Sequence, residues 1–284
     1  MNPRLATTAT APATIVLGEA LDVLRSLPDG CAGLVYVDPP FNTGSSRRGV
    51  RIHVSADADG DRAGFAGRRY RSRRSPGHSF DDRFDGYEDW LRPRLEETKR
   101  ILTQQGSLYF HIDPRESHYC KVLLDSVFGR RCFLNEIIWA YDFGARARRR
   151  WPTKHDVILV YVKHPEHYHF DAGAVDREPY MAPGLQTAER AARGKLPTDV
   201  WWHTIVPTTS RERTGYPTQK PLGVLRRIVA ASSQPDDLVL DWCAGSGTTG
   251  VAAAELGRRY LLIDESPAAV AVMRERLPYA KVLM

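Results

Sequence analysis

The sequence predicts an α/β protein in which a mostly parallel sheet is doubly wound, with helices on both of its faces. Short apolar runs, such as residues 34–37 and 238–240, alternate with segments whose apolar residues recur at helix spacing, such as 221–232. Strands that alternate with helices favour a parallel sheet covered on both sides. The chain has 284 residues, which is enough to bury a full core, and it shows no internal repeat.

Each element is predicted from its local pattern. The first helix places Ala20, Val23 and Leu24 at helix spacing after a short apolar strand. Gly129 directly follows the helix predicted at 119–128 and is expected to end it, since glycine adopts the backbone conformation that ends helices. In chain order, we expect strand 14–17, helix 20–27, strand 34–37, helix 87–102, strand 107–112, helix 119–128, strands 135–141 and 156–162, helix 221–232, strand 238–241, helix 248–256, strand 259–263 and helix 267–277.

Two regions lack such patterns. Residues 1–13 are polar and small and predict a disordered tail without a signal sequence. Residues 45–80 show no apolar periodicity, and nine arginines lie between Arg47 and Arg74. Long segments without periodicity inside a compact domain are commonly mobile or functional, so we expect a mobile basic loop at 45–80.

Composition narrows the class of protein. The formal net charge is +6 and the pI is about 9.2, and nearly all of the excess is arginine, which indicates a polyanionic partner. The four cysteines form no C-x-x-C pair or zinc-type cluster, so we expect a reduced, cytoplasmic protein without a metal. The absence of an 18-residue apolar run predicts no membrane span.

A glycine loop, residues 245–250, separates a predicted strand from a predicted helix and fits the pattern G-x-G-x-x-G. Asp241 precedes it, and Asp264 follows Asp241 by 23 residues at the end of the next strand, where a carboxylate can accept hydrogen bonds from ribose hydroxyls. The pattern indicates a nucleoside site, although a purely structural junction would look similar. A nicotinamide oxidoreductase is a rival, but only about 35 residues follow Gly250.

A second loop, residues 38–41, has the sequence Asp-Pro-Pro-Phe and follows the strand at 34–37. The prolines fix the backbone and remove two N–H groups, so rigid carbonyls and the Asp38 carboxylate are left as acceptors beside the flat ring of Phe41. A planar amine such as adenine N6 or cytosine N4 would find acceptors and a stacking surface there. Chemistry on a duplex base requires extruding it into such a pocket.

Four segments together resemble the β group of amino-group DNA methyltransferases, the enzymes that modify adenine N6 or cytosine N4. Residues 37–44 are similar to motif IV of that family, 216–221 to motif X, 241–249 to motif I and 263–267 to motif II. The family usually has histidine where this chain has Tyr216. The resemblance implies a Rossmann-like methyltransferase fold with permuted motif order and S-adenosylmethionine as cofactor.

The resemblance also implies roles for individual residues. Asp38, Pro39, Pro40 and Phe41 would be catalytic. The cofactor would be bound by Glu19, Thr218, Lys220, Asp241, Cys243, Ala244, Gly245, Ser246, Gly247, Thr248 and Asp264. DNA would be contacted by Arg68, Arg69, Arg71, Arg146, Arg148, Arg149 and Arg150. We expect a catalytic half at 14–142, an inserted target-recognition region at 143–215 and a cofactor-binding half at 216–284.

The expected function is site-specific methylation of an exocyclic amine on a flipped base in double-stranded DNA, in a prokaryotic cytoplasm and at the nucleoid. Aspartate before Pro-Pro favours adenine N6 in this family, and cytosine N4 is the alternative. An NAD-dependent oxidoreductase and a DNA-binding module without turnover are further alternatives. The resemblance leaves a homodimer and a cognate restriction nuclease open as partners.

Overall fold

The computed structural model describes residues 12–42, 47–60, 62–63, 69–80, 84–144 and 146–284. Within these ranges the chain forms twelve strands and seven α-helices. The strands are β1 (Ala13–Leu17), β2 (Ala32–Val37), β3 (Arg47–Ala56), β4 (Arg62–Ala63), β5 (Arg69–Phe80), β6 (Leu102–Ile112), β7 (Phe133–Ala140), β8 (His155–Val162), β9 (Val200–Trp202), β10 (Leu238–Asp241), β11 (Arg259–Asp264) and β12 (Lys281–Leu283). The helices are α1 (Ala20–Ser26), α2 (Tyr87–Ile101), α3 (Ser117–Phe128), α4 (Ala188–Arg193), α5 (Leu222–Ser232), α6 (Thr248–Glu255) and α7 (Pro267–Arg276).

Nine strands form one sheet in the order β12-β1-β11-β10-β2-β6-β8-β7-β9. The six strands from β12 to β6 are parallel to one another. Strand β8 runs antiparallel to both of its neighbours, and β9 is parallel to β7. The predicted mostly parallel sheet is therefore confirmed.

Strands β10 and β2 come from opposite ends of the chain and are neighbours at the centre of the sheet, with Leu240 opposite Val35. Their carboxyl ends therefore lie side by side. Because ligands of open α/β sheets bind beyond the carboxyl ends of strands at such a change of topology, this pairing locates the functional site.

Helices cover both faces of the sheet. One core is formed with α1, α2 and α3 and takes Val35 and Val37 from β2. The other is formed with α5, α6 and α7 and takes Leu34 and Tyr36 from the same strand. Successive strand residues point to opposite faces, so a strand buried on both sides is apolar throughout, as β2 is.

Residues 45–80, predicted as a mobile basic loop without strands, contain three strands among the described residues, so the expected absence of strands is wrong. Strands β3, β5 and β4 form a separate antiparallel sheet in the order β3-β5-β4. Arginines and serines interrupt these strands, so no period-two pattern marked them in the sequence. Their pairing is a contact between distant residues, which local patterns do not report.

The two residues that flank the insertion with this small sheet, Asn42 and Phe84, contact each other. The backbone N–H of Phe84 donates to Oδ1 of Asn42 over 3.1 Å. Asn42 has a positive φ of 51°, and its Nδ2 donates to Glu116 over 3.2 Å. Because Asn42 directly follows the Asp-Pro-Pro-Phe loop, the insertion is anchored beside that loop.

The other elements agree with the predictions apart from their ends, the largest shift being strand β6, which begins at Leu102 rather than residue 107. Three short elements were not predicted, namely α4, β9 and β12. Ala13, assigned to the tail, is the first residue of β1 and Pro12 is a described residue before it, whereas residues 1–11 of that prediction lie outside the described residues. No helix in the described ranges is long and apolar enough to cross a membrane.

Candidate active site

A cavity of about 680 Å³ opens at the carboxyl edge of the sheet, between the ends of β2 and β10. The Asp-Pro-Pro-Phe loop lines one side, and residues 243–246 of the loop after β10 line another. The volume lies within the usual range for sites of cofactors and other small molecules. The two predicted loops therefore share one ligand space.

The glycine loop turns sharply between β10 and α6. Gly245 has φ of 51°, and a Cβ atom there would stand 3.1 Å from Cε1 of Tyr216. Gly247 has φ of 73°, and its Cβ would come within 2.7 Å of Cγ of Met273, which packs behind the loop. Both positions are left-handed and crowded, which is the reason for glycine. Gly247 does not line the cavity, so its role here is conformational.

Asp241 holds the glycine loop through two hydrogen bonds. Its Oδ1 accepts from the backbone N–H of Cys243 over 3.0 Å, and its Oδ2 accepts from the hydroxyl of Thr249 over 2.6 Å. Burial, reinforced by the charges of Asp38 and Asp264, outweighs these hydrogen bonds and raises the pKa of Asp241 to about 7. A cationic ligand in the cavity would favour its ionised form.

Cys243 lines the same cavity. Burial and the neighbouring carboxylates raise the pKa of its thiol well above the usual value. The thiol therefore stays protonated and is a poor nucleophile. Asp264, at the end of β11, accepts from the backbone N–H groups of Gly245 (2.8 Å) and Ser266 (2.9 Å), while burial raises its pKa.

Glu19 caps a helix and also contributes to the wall of the cavity. It is the N-cap of α1, where its Oε2 accepts from the backbone N–H of Asp22 over 3.1 Å, and it also lines the cavity. Its Oε1 forms an ion pair with Arg94 of α2, whose side chain is only 9% exposed. The Arg94 guanidinium also lies 4.2 Å from the ring centre of Trp90.

One oxygen of the Asp38 carboxylate is held by a cationic side chain. Its Oδ2 forms an ion pair with the ammonium of Lys220, and both side chains are nearly buried. The hydroxyl of Tyr87 donates to the carbonyl of Pro40 over 2.6 Å, which fixes the loop. The Lys220 ammonium also lies 5.4 Å from the ring centre of Phe41. Lys220 was expected to bind the cofactor, and here it contacts Asp38.

The structure brings nearly all the predicted catalytic and cofactor residues around this cavity. Besides Asp38, Pro39, Pro40 and Phe41, the lining includes Glu19, Thr218, Lys220, Asp241, Cys243, Ala244, Gly245, Ser246, Thr248 and Asp264. Further lining residues were not predicted as site residues from the sequence, among them Tyr36, Phe84, Trp90, Arg94, Tyr216 and Trp242. One signal was available, since Arg94 stands on the apolar side of a helix, where an unpaired arginine would be costly.

The basic residues divide into two regions. Arg69 and Arg71 are exposed on β5, and Arg71 pairs with Asp57 at 2.7 Å, whereas Arg68 lies outside the described residues. Arg146, Arg148, Arg149 and Arg150 are exposed in the connection from β7 to β8. Strand β7 runs in the direction of β6, so this connection leaves the sheet at the edge where the cavity opens.

The two adjacent tryptophans at the end of β9 have different environments. Trp201 is buried, its indole N–H donates to the carbonyl of Thr198 over 2.7 Å, and its ring lies 5.0 Å from the guanidinium of Arg227. Trp202 is 79% exposed. Strand β9 is parallel to β7, so Trp202 also lies at the carboxyl edge.

The fold and cavity define the chain as a methyltransferase-type α/β protein, and comparisons with solved structures agree. PvuII DNA methyltransferase, described as cytosine-N4-specific, matches with a TM-score of 0.64 at 15% identity, over 94% of this chain and 86% of that one. The complex of M1.HpyAVI with S-adenosylmethionine matches with a TM-score of 0.59 at 18% identity, over 93% of this chain and 98% of that one. At these identities the likeness concerns the fold.

The sequence comparison places the chain in a family. Residues 32–275 match the DNA methylase family N6_N4_Mtase, and the protein belongs to it. The chain is 29% identical to the DNA adenine methyltransferase YhdJ of Escherichia coli K12, over 88% of this chain and 78% of that protein. It is 26% identical to the type II methyltransferase M.HpaI of Haemophilus parainfluenzae, over 93% and 73%. The protein is thus an S-adenosylmethionine-dependent DNA methyltransferase.

The residues in the cavity fit that cofactor. The carboxylates of Asp241 and Asp264 suit a cationic methionine end and a ribose, and Gly245 leaves backbone space between them. Aromatic rings of Trp90 and Phe84 add flat surface. Among the described residues no cluster of three or more His, Cys, Asp or Glu side chains could hold a metal ion.

Proposed function

We propose that the protein methylates the exocyclic amine of a base that is extruded from double-stranded DNA into the cavity, with adenine N6 as the favoured amine. The observation that carries this proposal is the adjacency of β2 and β10, which opens the Asp-Pro-Pro-Phe loop and the glycine loop into one space. A methyl acceptor and a methyl donor can therefore meet there. Holding two reactants in line is a large part of catalysis.

In this proposal the part of the cavity beside the glycine loop holds the cofactor. Asp264 accepts from the ribose, Asp241 and Gly245 line the methionine end, and Glu19 faces the adenine. S-adenosylmethionine, when bound, supplies an electrophilic methyl group. The buried carboxylates make the site selective for a ligand that carries positive charge, because such a ligand offsets their desolvation.

The Asp-Pro-Pro-Phe loop holds the target amine. Asp38 accepts one N–H of the amine, and we assign the other to the carbonyl of Pro39, since the carbonyl of Pro40 is held by Tyr87. Phe41 stacks on the base. Two hydrogen bonds to the amine draw its lone pair out of conjugation and direct it to the methyl group.

The Lys220 ammonium would compete with the target amine for Oδ2 of Asp38. The ammonium lies between the Asp-Pro-Pro-Phe loop and the glycine loop, with the Lys220 carbonyl accepting from Thr248 over 3.2 Å. A cofactor carboxylate is an alternative partner for it. We therefore propose that cofactor binding frees Asp38 for the base.

DNA would approach the carboxyl edge of the sheet. The exposed arginines 146–150 and Trp202 stand at this edge, and the basic insertion is anchored at Asn42, beside the catalytic loop. Arginines of this kind bind phosphates and can read guanine, and exposed aromatic rings stack on bases. We assign target recognition to residues 143–215 and to the basic insertion.

The wider setting stays a prediction. Because its substrate is DNA, we expect the protein to act in the cytoplasm, at the nucleoid. Several relatives are named type II methyltransferases, so we also expect a cognate nuclease as a partner. A homodimer is a separate prediction, which analytical ultracentrifugation of the protein with and without DNA would test.

The deciding experiment is transfer of labelled methyl groups from S-adenosylmethionine to DNA, followed by mass analysis of the digested product. We expect N6-methyladenine, whereas N4-methylcytosine would support the alternative base. DNA binding without label would support a module without turnover, and a cofactor-dependent absorbance change at 340 nm would support an oxidoreductase.

A variant tests the role of the loop. Asp38→Ala should abolish transfer and retain cofactor binding. The matched control is Asp113→Ala, since Asp113 follows β6 at the same sheet edge but does not line the cavity. Full activity of Asp38→Ala would show that the assigned role is wrong.

A further inference from the structure

A nearly buried arginine forms part of the cavity wall. Arg94 lies on the side of α2 that packs into the protein, which it shares with Leu91 and Leu95, and its side chain is 9% exposed. Arginine is rarely buried unless its donors find acceptors, because desolvating the charge is costly. An apolar residue would fill this position of an amphipathic helix at lower cost, so the guanidinium calls for a reason beyond packing.

The guanidinium is fixed by contacts on several sides. Its Nη1 donates to the carbonyl of Trp90 over 2.5 Å, and the group lies 4.2 Å from the centre of the Trp90 ring. Its Nη2 donates to Oε1 of Glu19, which lies 75 positions away in the chain. Trp90 in turn packs against Phe84 and Trp242, at ring-centre distances of 5.0 Å and 6.2 Å. The aromatic packing therefore keeps the guanidinium in one place beside Glu19.

The Glu19 carboxylate is held through both of its oxygens. Oε1 accepts from Arg94, and Oε2 accepts from the backbone N–H of Asp22 over 3.1 Å. The side chain is nevertheless 37% exposed and lines the cavity. Each carboxylate oxygen has two lone pairs, so each can accept a further hydrogen bond from a ligand. An acceptor that is already fixed binds a donor without the cost of ordering its side chain.

Arg94 carries a cost for the fold. Its Nε is buried and has no hydrogen-bond partner among the residues that the structure describes. A buried donor without an acceptor lowers stability, and replacing a buried ionic group by an apolar one of similar size is often neutral or stabilising. A costly residue in the wall of a ligand cavity is typical of positions that serve binding rather than stability.

We infer that Arg94 is a positioning residue for cofactor binding: it fixes the Glu19 carboxylate so that this group accepts a hydrogen bond from the amine of the cofactor's adenine. The inference rests on the proposed function, which places the adenine at Glu19. A carboxylate accepts hydrogen bonds and donates none, so a fixed carboxylate selects a ring that carries an amine over one without it. Arg94 thus acts on cofactor selectivity through Glu19.

The test is calorimetric binding of S-adenosylhomocysteine and of its analogue in which hydrogen replaces the adenine amine. The wild-type protein should bind the ligand with the amine about tenfold more tightly or better. Arg94→Met has a side chain of similar length without charge. We expect its affinity for S-adenosylhomocysteine to be about tenfold lower and its preference for the amine to shrink correspondingly. Its urea-unfolding midpoint should not fall, because the unpaired Nε is removed.

A control and a double variant show whether Arg94 acts through Glu19. Arg92→Met is the matched control, since Arg92 precedes Arg94 by two residues on α2, pairs with Glu88 at 2.7 Å and does not line the cavity. It should keep the wild-type affinity and preference. Glu19→Ala removes the acceptor that Arg94 positions. In that background Arg94→Met should change the affinity for S-adenosylhomocysteine by less than about twofold.

A further variant covers the case in which Arg94→Met does not fold. Arg94→Lys keeps a cation but lacks the planar fork that donates to Glu19 and to the carbonyl of Trp90 at the same time. It should bind S-adenosylhomocysteine more weakly than the wild type and with a smaller preference for the amine. Wild-type binding and preference in a folded Arg94→Lys would overturn the inference.

The other outcomes are equally decisive. An unchanged preference for the amine in folded Arg94→Met, with or without a lower unfolding midpoint, would show a purely structural role and overturn the inference. So would a double variant in which the two single losses of affinity multiply. These ligands bind without DNA, so a failure here leaves the proposed function standing. That function fails separately if the wild-type chain transfers no methyl group to DNA.

Discussion

Asp241→Asn tests the electrostatics of the cofactor site. The carboxylate accepts one hydrogen bond from the N–H of Cys243 and one from the hydroxyl of Thr249. An asparagine can keep both interactions, because its amide oxygen accepts from the N–H and its NH₂ group donates to the hydroxyl. The substitution therefore removes the charge with little change of packing.

The magnitude follows from the pKa of Asp241, which burial raises from 3.8 to about 7. Because the folded-state pKa lies above the unfolded-state pKa, ionisation of Asp241 destabilises the folded protein; this cost is absent below pH 3.8 and complete above about pH 7. At ~1.4 kcal/mol per pH unit, the cost is about 2 kcal/mol at pH 5 and about 4 kcal/mol at pH 8. The stability advantage of Asp241→Asn should thus grow by roughly 2 to 3 kcal/mol over this interval.

The assay is urea unfolding of the cofactor-free protein at pH 5 and pH 8 for wild type and variant. Asp142→Asn is the control, since the Asp142 side chain is 95% exposed and should change the unfolding free energy little at either pH. An advantage of Asp241→Asn that is the same at both pH values would refute the reasoning. The same ionisation favours a cationic ligand, so cofactor affinity of the wild type should rise from pH 5 to pH 7.

The remaining predictions concern the glycine loop, the two tryptophans and the basic connection. Gly245→Ala should lower stability by about 1 kcal/mol because of its left-handed backbone, and it should also weaken cofactor binding. Gly257→Ala, with φ of 72° and open space around it, should lower stability alone. Isothermal titration with the cofactor measures the difference in binding between the two variants. Trp201→Ala should cost about 3–5 kcal/mol in denaturant unfolding because its ring is buried, while Trp202→Ala should leave stability nearly unchanged and lower DNA affinity. Replacing the four arginines of 146–150 by glutamine should flatten the dependence of log Kd for DNA on log salt by about 0.9 for each phosphate that the protein no longer neutralises, and an unchanged slope would contradict their role.

Much of the fold was readable locally. Strand β2 is buried on both faces and has no charged residue, so its composition alone marked it, and the helix spacing of Leu222, Leu225 and Ile228 did the same for α5. The basic insertion was misread because its strands carry arginine and serine, and their partners lie far along the chain. Strand pairing there depends on backbone hydrogen bonds between segments, which hydropathy does not encode.

The site likewise contains residues that the sequence predicted and residues that only the structure placed there. The Asp-Pro-Pro-Phe loop and the glycine loop were visible because their residue types are constrained by chemistry, by fixed φ at proline and by left-handed φ at Gly245. His111 and Arg94 carried no such mark. Each is an ordinary residue within its own segment and becomes part of the site through a partner at least 75 positions away or from another element, as with Tyr36 and His111 or Glu19 and Arg94.

The sequence by itself determined most of the strands and helices of the large sheet and its two layers, which two loops carry acceptors and glycines, and to which family the chain belongs, because these depend on local residue types and their order. Only the tertiary structure decided that β10 lies against β2, that Lys220 contacts Asp38 and that Arg94 pairs with Glu19. These are contacts between segments distant in the chain, and their geometry is set by how the sheet is ordered and how the helices pack on it.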